Sequence, residues 1–231
     1  MPNPLDQYNF GSPSSRLRFL YSVPRRFFAL FYHQLAIAYD AITWMISMGM
    51  WPVWINVTLR FLTGPRILEL GHGTGHLQVA MAKENYHVYG IDESLTMVRL
   101  ARQRLIRIGR SSNLARARGE ALPFPDASFE EVVATFPAEY IHHEDTIREI
   151  HRVLCQGGKL IILHFSWLTN RQFPYSLMAW IYRLVGQAPQ SREQFDHQKF
   201  CTPFQTAGFD VEIRVIEIGS SGLLFILGEK L

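Results

Sequence analysis

Cysteine is scarce: the 231 residues contain only Cys155 and Cys201. That excludes a disulfide-dense secreted scaffold and fits a reducing compartment such as the cytoplasm. A cleavable leader is also missing, because the first fifteen residues are polar and carry Pro2, Pro4, Gly11 and Pro13. There is little excess of one charge. Twenty-three Lys and Arg against 20 Asp and Glu leave a formal net charge of +3, too small to require a polyanionic partner. The one long uncharged run, residues 41–59, has the length of a membrane-spanning helix. It contains Gly49, Pro52 and Asn56, however, and Trp44, Trp51 and Trp54 are spread along it instead of gathering at its ends. It reads as a buried or interfacial helix pair. No repeat is present, which excludes solenoid architectures.

What remains is a globular composition, 48% hydrophobic and 19% charged, able to bury a sizeable core. Residues 1–15 read as a flexible tail and 16–63 as an N-terminal helical lid or substrate segment, closed by the Thr63-Gly64-Pro65 turn. From residue 64 to 231 the pattern alternates. Apolar strands at 66–70, 87–91, 114–118, 131–136 and 159–164 are separated by helices at 77–83, 94–108 and 144–154, the last ended by Gly157-Gly158. A helical insertion follows at about 167–197, then a helix near 198–207 and strands at 211–218 and 223–228, joined by Gly219-Ser220-Ser221-Gly222. The expectation is an α/β, doubly wound, seven-stranded and mostly parallel sheet of Rossmann-like form that ends in an antiparallel hairpin.

The chemistry lies in the first strand-to-helix turn, Glu69-Leu70-Gly71-His72-Gly73-Thr74-Gly75-His76. Its glycines permit positive φ and close backbone approach to a ligand, at the carboxyl end of a strand where such sheets bind ligands. A dinucleotide loop of the form G-x-G-x-x-G would need glycine where His76 stands, and no P-loop Gly-Lys-Ser/Thr follows. An acid two residues before the turn repels a pyrophosphate and suits a cationic ligand. Asp92 ends the second strand about 20 residues on, where a carboxylate accepts from ribose hydroxyls; helix capping is the alternative, and Ser94 can take that role. Together these features point to S-adenosylmethionine (SAM).

The stretch 66–164 resembles the class I SAM-dependent methyltransferases, in the branch of the ubiquinone and menaquinone biosynthesis C-methyltransferases (methyltransferase type 11). Four segments carry the resemblance: 67–75, 90–97, 120–129 and 149–160. It implies SAM as donor and S-adenosylhomocysteine as product. It implies that Glu69, Gly71, His72, Gly73 and Gly75 hold the methionine part, that Asp92 takes the ribose, and that Glu93 and Met97 flank ribose and adenine. By the same resemblance Glu120 and Ala121 meet the adenine edge, Phe136 lines the methyl side, and Tyr39 reaches the SAM carboxylate. His72 departs from the small residue usual in this loop and could supply an extra donor. Glu130 and Gln156 are further departures, from an aspartate and a proline.

Methyl transfer needs a general base only when the acceptor loses a proton early. Candidates follow the fourth and fifth strands: Glu139, Tyr140, His142, His143 and His164, of which Tyr140 and His143 are taken as the catalytic pair. The run His142-His143-Glu144-Asp145 reads equally as a helix start with acids in its first turn. No metal is expected, because adjacent histidines point apart and no i, i+4 pair completes a ligand set.

The segments 16–62 and 165–200 are rich in Phe, Trp, Tyr and Met, which suggests a lipophilic small-molecule acceptor such as a quinone precursor. Arg16, Arg18, Arg25 and Arg26 beside aromatics suggest peripheral contact with anionic membrane and, as an alternative, a phospholipid-headgroup N-methyltransferase. A non-catalytic SAM sensor or scaffold is the alternative of another class. The arginines from Arg99 to Arg118 raise nucleic acid, but Thr135-Phe136-Pro137-Ala138 stands where a planar-amino motif would be. Nothing in the sequence fixes an oligomeric state.

Overall fold

A computed structural model describes Asp40, Thr43, Trp44, residues 47–168 and residues 197–231 of the chain. The tail, Tyr39, the N-terminal arginines and most of the 167–197 insertion lie outside the described residues.

Asp40, Thr43 and Trp44 are helical, and a turn through Met48 and Gly49, both at positive φ, breaks the uncharged run. Helix α1, Trp51–Val57, starts with Pro at its first turn and runs into a 3-10 turn at Thr58–Phe61. Among the described residues no helix is long and apolar enough to cross a membrane. The alternation then follows: β1 Arg66–Leu70, α2 His76–Lys83, β2 His87–Asp92, α3 Leu95–Arg107, β3 Asn113–Arg116, β4 Phe129–Thr135, a 3-10 turn Glu139–His142, α4 Glu144–Val153, β5 Leu154–Leu168, α5 His197–Thr206, β6 Phe209–Ile218 and β7 Ser221–Lys230.

The seven strands form one sheet in the order β3-β2-β1-β4-β5-β7-β6. Strands β1 to β5 pair in parallel, and β7 runs antiparallel to both β5 and β6. The sheet is therefore the expected seven-stranded, mostly parallel one with an antiparallel end. Four of the five residues of β1 are buried, as a strand covered on both faces requires, whereas β6 at the edge alternates between apolar and polar residues. One face packs Trp54, Val57, Leu77 and Met81 from α1 and α2, continued by Val98, Ala101 and Leu105 of α3. The other packs Ile147, Ile150 and Val153 of α4 with Phe204 of α5. The i, i+3 spacing of the α4 residues is that of a helix with one apolar stripe.

The α4–β5 junction corrects the sequence reading. The helix ends at Val153 and β5 begins at once, because Leu154 pairs with Phe129 and the register then shifts to Glu131↔Lys159. Gly157 and Gly158 lie in that irregularity rather than stopping the helix. Gly157 is at φ +69°, and a Cβ on Gly158 would stand 2.8 Å from the Cys155 carbonyl oxygen. Both cysteines are free thiols.

Two of the motif segments hold each other. Glu149 accepts the Leu122 amide at 2.7 Å. Arg152 donates to Glu149, to Asp126 and to the carbonyls of Phe124 and Leu122. The α4 motif thus clamps the 120–126 loop. Since hydrogen bonds to charged groups contribute about 1.5–3 kcal/mol, Arg152→Ala is expected to lower unfolding free energy by about 2 kcal/mol in denaturant titration. Arg152→Lys should recover little of this, because a single ammonium cannot replace the fork.

Candidate functional site

The carboxyl ends of β1, β2 and β4 bring the predicted residues together. Gly71, Gly73 and Gly75 all have positive φ. The Gly71 and His72 amides both donate to the Ile91 carbonyl, tying the loop to β2. A Cβ on Gly75 would stand 2.7 Å from the Ala101 Cβ, so glycine here lets the loop lie on α3. Asp92 is buried, 3% exposed. Its Oδ2 accepts the Gly73 amide at 2.9 Å and its Oδ1 the Ser94 amide at 2.8 Å. Ser94 caps α3, with its side chain accepting from the Met97 amide. The capping role thus falls to Ser94, while Asp92 fixes the cofactor loop and Met97 is wholly buried.

Glu69 is 1% exposed, and its Oε2 accepts from Gln78 of α2 at 2.8 Å. Burial outweighs this bond and pushes the carboxyl up to about 8. Gln78 also donates to the Tyr89 carbonyl. Its role escaped the sequence reading, and the available signal was a polar residue beside Leu77 on the buried side of α2.

His72 packs its ring where a Cβ on Gly90 would be, 3.0 Å from its Cδ2. Its Nδ1 lies 2.8 Å from the Gly73 carbonyl oxygen, which can only accept, so Nδ1 carries the hydrogen. Burial holds the ring below the usual histidine range. The neutral ring therefore spends its donor on the loop, and its buried Nε2, which has no partner, is an acceptor. The expected extra donor toward the ligand is corrected accordingly.

Tyr140 crosses the same space. Its hydroxyl is buried without a partner and stands 2.7 Å from the place of a Gly71 Cβ. Burial, then the charges of Asp92, Glu69 and Glu120, push the phenol well above its usual range. Gly71→Ala is therefore strained twice, by φ +67° and by this contact. It is expected to weaken SAM binding about tenfold or more, for a cost of about 1–2 kcal/mol. Calorimetry should show part of the loss restored in Gly71→Ala/Tyr140→Phe.

The remaining predicted residues are placed as follows. Glu93 is exposed and pairs with Arg118 at 2.9 Å. Glu120 faces His143 Nδ1 at 3.2 Å, and Ala121 is exposed beside it. His143 is the residue before α4, with Glu144 and Asp145 in the first turn; its amide donates to the Tyr140 carbonyl at 3.0 Å, but its ring faces Glu120 while the Tyr140 hydroxyl stands beside Gly71. Phe136, at φ +49°, stacks on Trp51 at 4.5 Å. Among the described residues no group of three or more His, Cys, Asp or Glu could hold a metal ion.

A second cluster joins the N-terminal segment to the loop. Asp40 accepts from Thr74 at 2.6 Å, faces His76 at 3.1 Å and pairs with Arg104 of α3 at 2.5 Å. Arg104 also donates to Thr74. Burial alone would raise the Asp40 carboxyl, but the bonds from His76, Thr74 and Arg104, with the Arg104 charge, hold it well below the usual carboxylate range. Other arginines of the basic run are also engaged: Arg102 with Leu114, Arg110 with Asn85, Arg116 and Arg118 with Glu93.

The residues at the ends of β1 and β2 fit SAM: a backbone cradle of positive-φ glycines, the buried Asp92 carboxylate, and the Tyr140 hydroxyl and His72 nitrogen that have no partner among the described residues. A methyltransferase domain model matches residues 68–162. Over 175 residues the chain is 31% identical to the ubiquinone/menaquinone biosynthesis C-methyltransferase UbiE of Cupriavidus metallidurans, spanning 70% of this chain and 72% of that protein. The chain belongs to the class I SAM-dependent methyltransferases, in the branch of these C-methyltransferases. The UbiE enzyme of Pseudomonas fluorescens is 35% identical over 148 residues, 60% of this methyltransferase and 58% of that one. Among solved structures, geranyl diphosphate methyltransferase in complex with SAM superposes with a TM-score of 0.58 at 15% identity, covering 78% of this methyltransferase and 85% of that chain. That likeness is one of fold.

Proposed function

We propose that this enzyme is a C-methyltransferase for a lipophilic, hydroxylated ring of the quinone-precursor kind. The observation that carries the reading is the 31% identity with a UbiE C-methyltransferase over 175 residues, which extends well beyond the 95-residue span of the domain match at 68–162. Bound SAM supplies a methyl carbon made electrophilic by its sulfonium. The chain's own work is positioning and exclusion of water. Asp92 takes the ribose hydroxyls, and the positive-φ glycines let the methionine part lie close against the loop. Glu69 stands behind the loop toward the ammonium. The partly buried rings of Phe136 and Trp51, stacked at 4.5 Å over the buried Trp54, offer an apolar side to a ring acceptor.

The test is transfer of labelled methyl from SAM to prenylated hydroquinones, phosphatidylethanolamine and tRNA. Incorporation into the hydroquinones is expected. Labelling of phosphatidylethanolamine alone would move the enzyme to headgroup N-methylation, and labelling of none would favour a SAM-binding scaffold. A lipophilic acceptor also places the enzyme at the membrane surface. Trp44 is 63% exposed and Val53 41% exposed in the N-terminal segment, side chains suited to an interface. Flotation with anionic vesicles is expected to carry the full chain up and to lose it in a chain lacking residues 1–28.

A further inference from the structure

Two imidazoles stand past the carboxyl end of β4, His142 in the turn that follows it and His164 within β5, one residue beyond the last β4–β5 pair. His142 ends the 3-10 turn after β4. His164 follows Leu163, the partner of Thr135 at the end of β4, and is the extra residue of a bulge, because the β5–β7 register jumps from Leu163↔Phe225 to Phe165↔Leu224. Bulges of this kind re-aim a side chain and recur beside active sites. The rings meet edge to face with centroids 5.3 Å apart, and Phe200 packs on His164 at 4.9 Å and on His142 at 5.3 Å. His142 Nε2 and His164 Nδ1 are both buried and have no hydrogen-bond partner among the described residues. Orphaned buried polar atoms cost free energy and call for an explanation. Here two of them stand on adjacent rings just past the Thr135↔Leu163 pair that ends β4. His142 also stands at one end of a cleft of about 820 Å³ between α4 and α5, lined by Ile147, Arg148, Thr202, Pro203 and Ala207. That volume is of the order that small-molecule sites have, ~300–1,000 Å³.

We propose that His142 and His164 form the site for a hydroxyl of the acceptor ring, accepting its hydrogen bond and then its proton. This rests on the reading of the enzyme as a ring C-methyltransferase. Burial, and for His164 then the neighbouring His142, hold His164 down to about 4. Burial followed by the His143 charge lowers His142, against Glu139, which raises it. Both rings are thus neutral acceptors at physiological pH. A ring this weakly basic does not ionise a free phenol. It takes the proton once the ring carbon has bonded to the methyl carbon, the S–C pair has stayed on sulfur, and the ring's positive charge has made the hydroxyl strongly acidic. The imidazolium returns this proton to the oxygen as the ring-carbon proton passes to water, for a net release of one proton.

The test uses the full chain, labelled SAM and a short-chain prenyl-1,4-hydroquinone kept reduced. His164→Asn and His142→Gln place an amide near the lost nitrogen and restore packing, but cannot take a proton. General acid–base groups contribute about 10²–10⁴-fold, so kcat is expected to fall about 100-fold in each variant, with KM and the SAM dissociation constant within twofold. In the wild type with S-adenosylhomocysteine bound, adding the hydroquinone should move the ring ¹⁵N shifts of both histidines. If the wild type methylates the probe, then either unchanged kcat in the variants or unmoved ring shifts overturns the pair and leaves C-methylation standing. A wild type that methylates no hydroquinone overturns the ring-methylation reading and the pair with it.

Discussion

Asp92→Ala is expected to raise the SAM dissociation constant about 100-fold or more, measured by titration calorimetry. The carboxylate joins two elements before any ligand arrives, receiving the Gly73 amide on one oxygen and the Ser94 amide on the other. Its removal leaves two amides unsatisfied in a place where Asp92 is only 3% exposed, at about 1–3 kcal/mol each. In the proposed binding mode it also removes the acceptor for the ribose hydroxyls, and two charge-assisted bonds of about 1.5–3 kcal/mol account for the expected loss of affinity. The variant should therefore be less stable as well as weaker in binding. Ordinary stability with unchanged affinity would remove Asp92 from the site.

The second large effect concerns protons. The Glu69 carboxyl lies at about 8 in the free protein, raised by burial from 4.5. Near neutrality it is a neutral acid accepting from Gln78. If it serves the SAM ammonium as a carboxylate, binding must expel its proton. Affinity is then expected to rise by about tenfold per unit between pH 6 and 7.5, below the range of about 7.7–8.0 in which the ligand's own α-amino group deprotonates. Calorimetry at pH 7 in buffers of different ionisation enthalpy should show close to one proton released. Zero release would make Glu69 a neutral buttress beneath the loop. The sign for folding is the reverse. A carboxyl whose folded value is raised lends stability that is complete below pH 4.5 and lost as pH rises through 8, about 5 kcal/mol at most. Glu69→Gln keeps an oxygen for Gln78 but no charge. It should be flat across that window, more stable than wild type at pH 8, and poor in SAM binding.

The fold was legible because its signals are local. Short apolar runs, a glycine turn and an N-cap serine each declare themselves within ten residues, and the ends of the described elements moved by at most two positions, except at β5. There the helix-stopping value of Gly157-Gly158 was overridden by a tertiary pairing, Leu154 with Phe129, which no local pattern announces. The candidate cofactor residues stand out in the sequence for the same reason, since Glu69, the glycines and Asp92 come as spaced motifs. What was hidden depends on distant partners. Gln78 matters because it meets Glu69, and Arg104 because it meets Asp40, sixty-four positions away. The choice of Tyr140 and His143 as one catalytic pair weighed residue type and closeness in sequence. The structure turns one toward Gly71 and the other toward Glu120.

The Asp40 cluster has a kinetic meaning. Thr74 lies inside the glycine loop, yet its hydroxyl is held by an acid from outside the sheet and by an arginine of α3. Displacing the N-terminal segment and slackening the loop are then one event rather than two. Release of spent cofactor is then expected to quicken as salt weakens the Arg104–Asp40 pair, a dependence that stopped-flow release of S-adenosylhomocysteine at rising ionic strength checks.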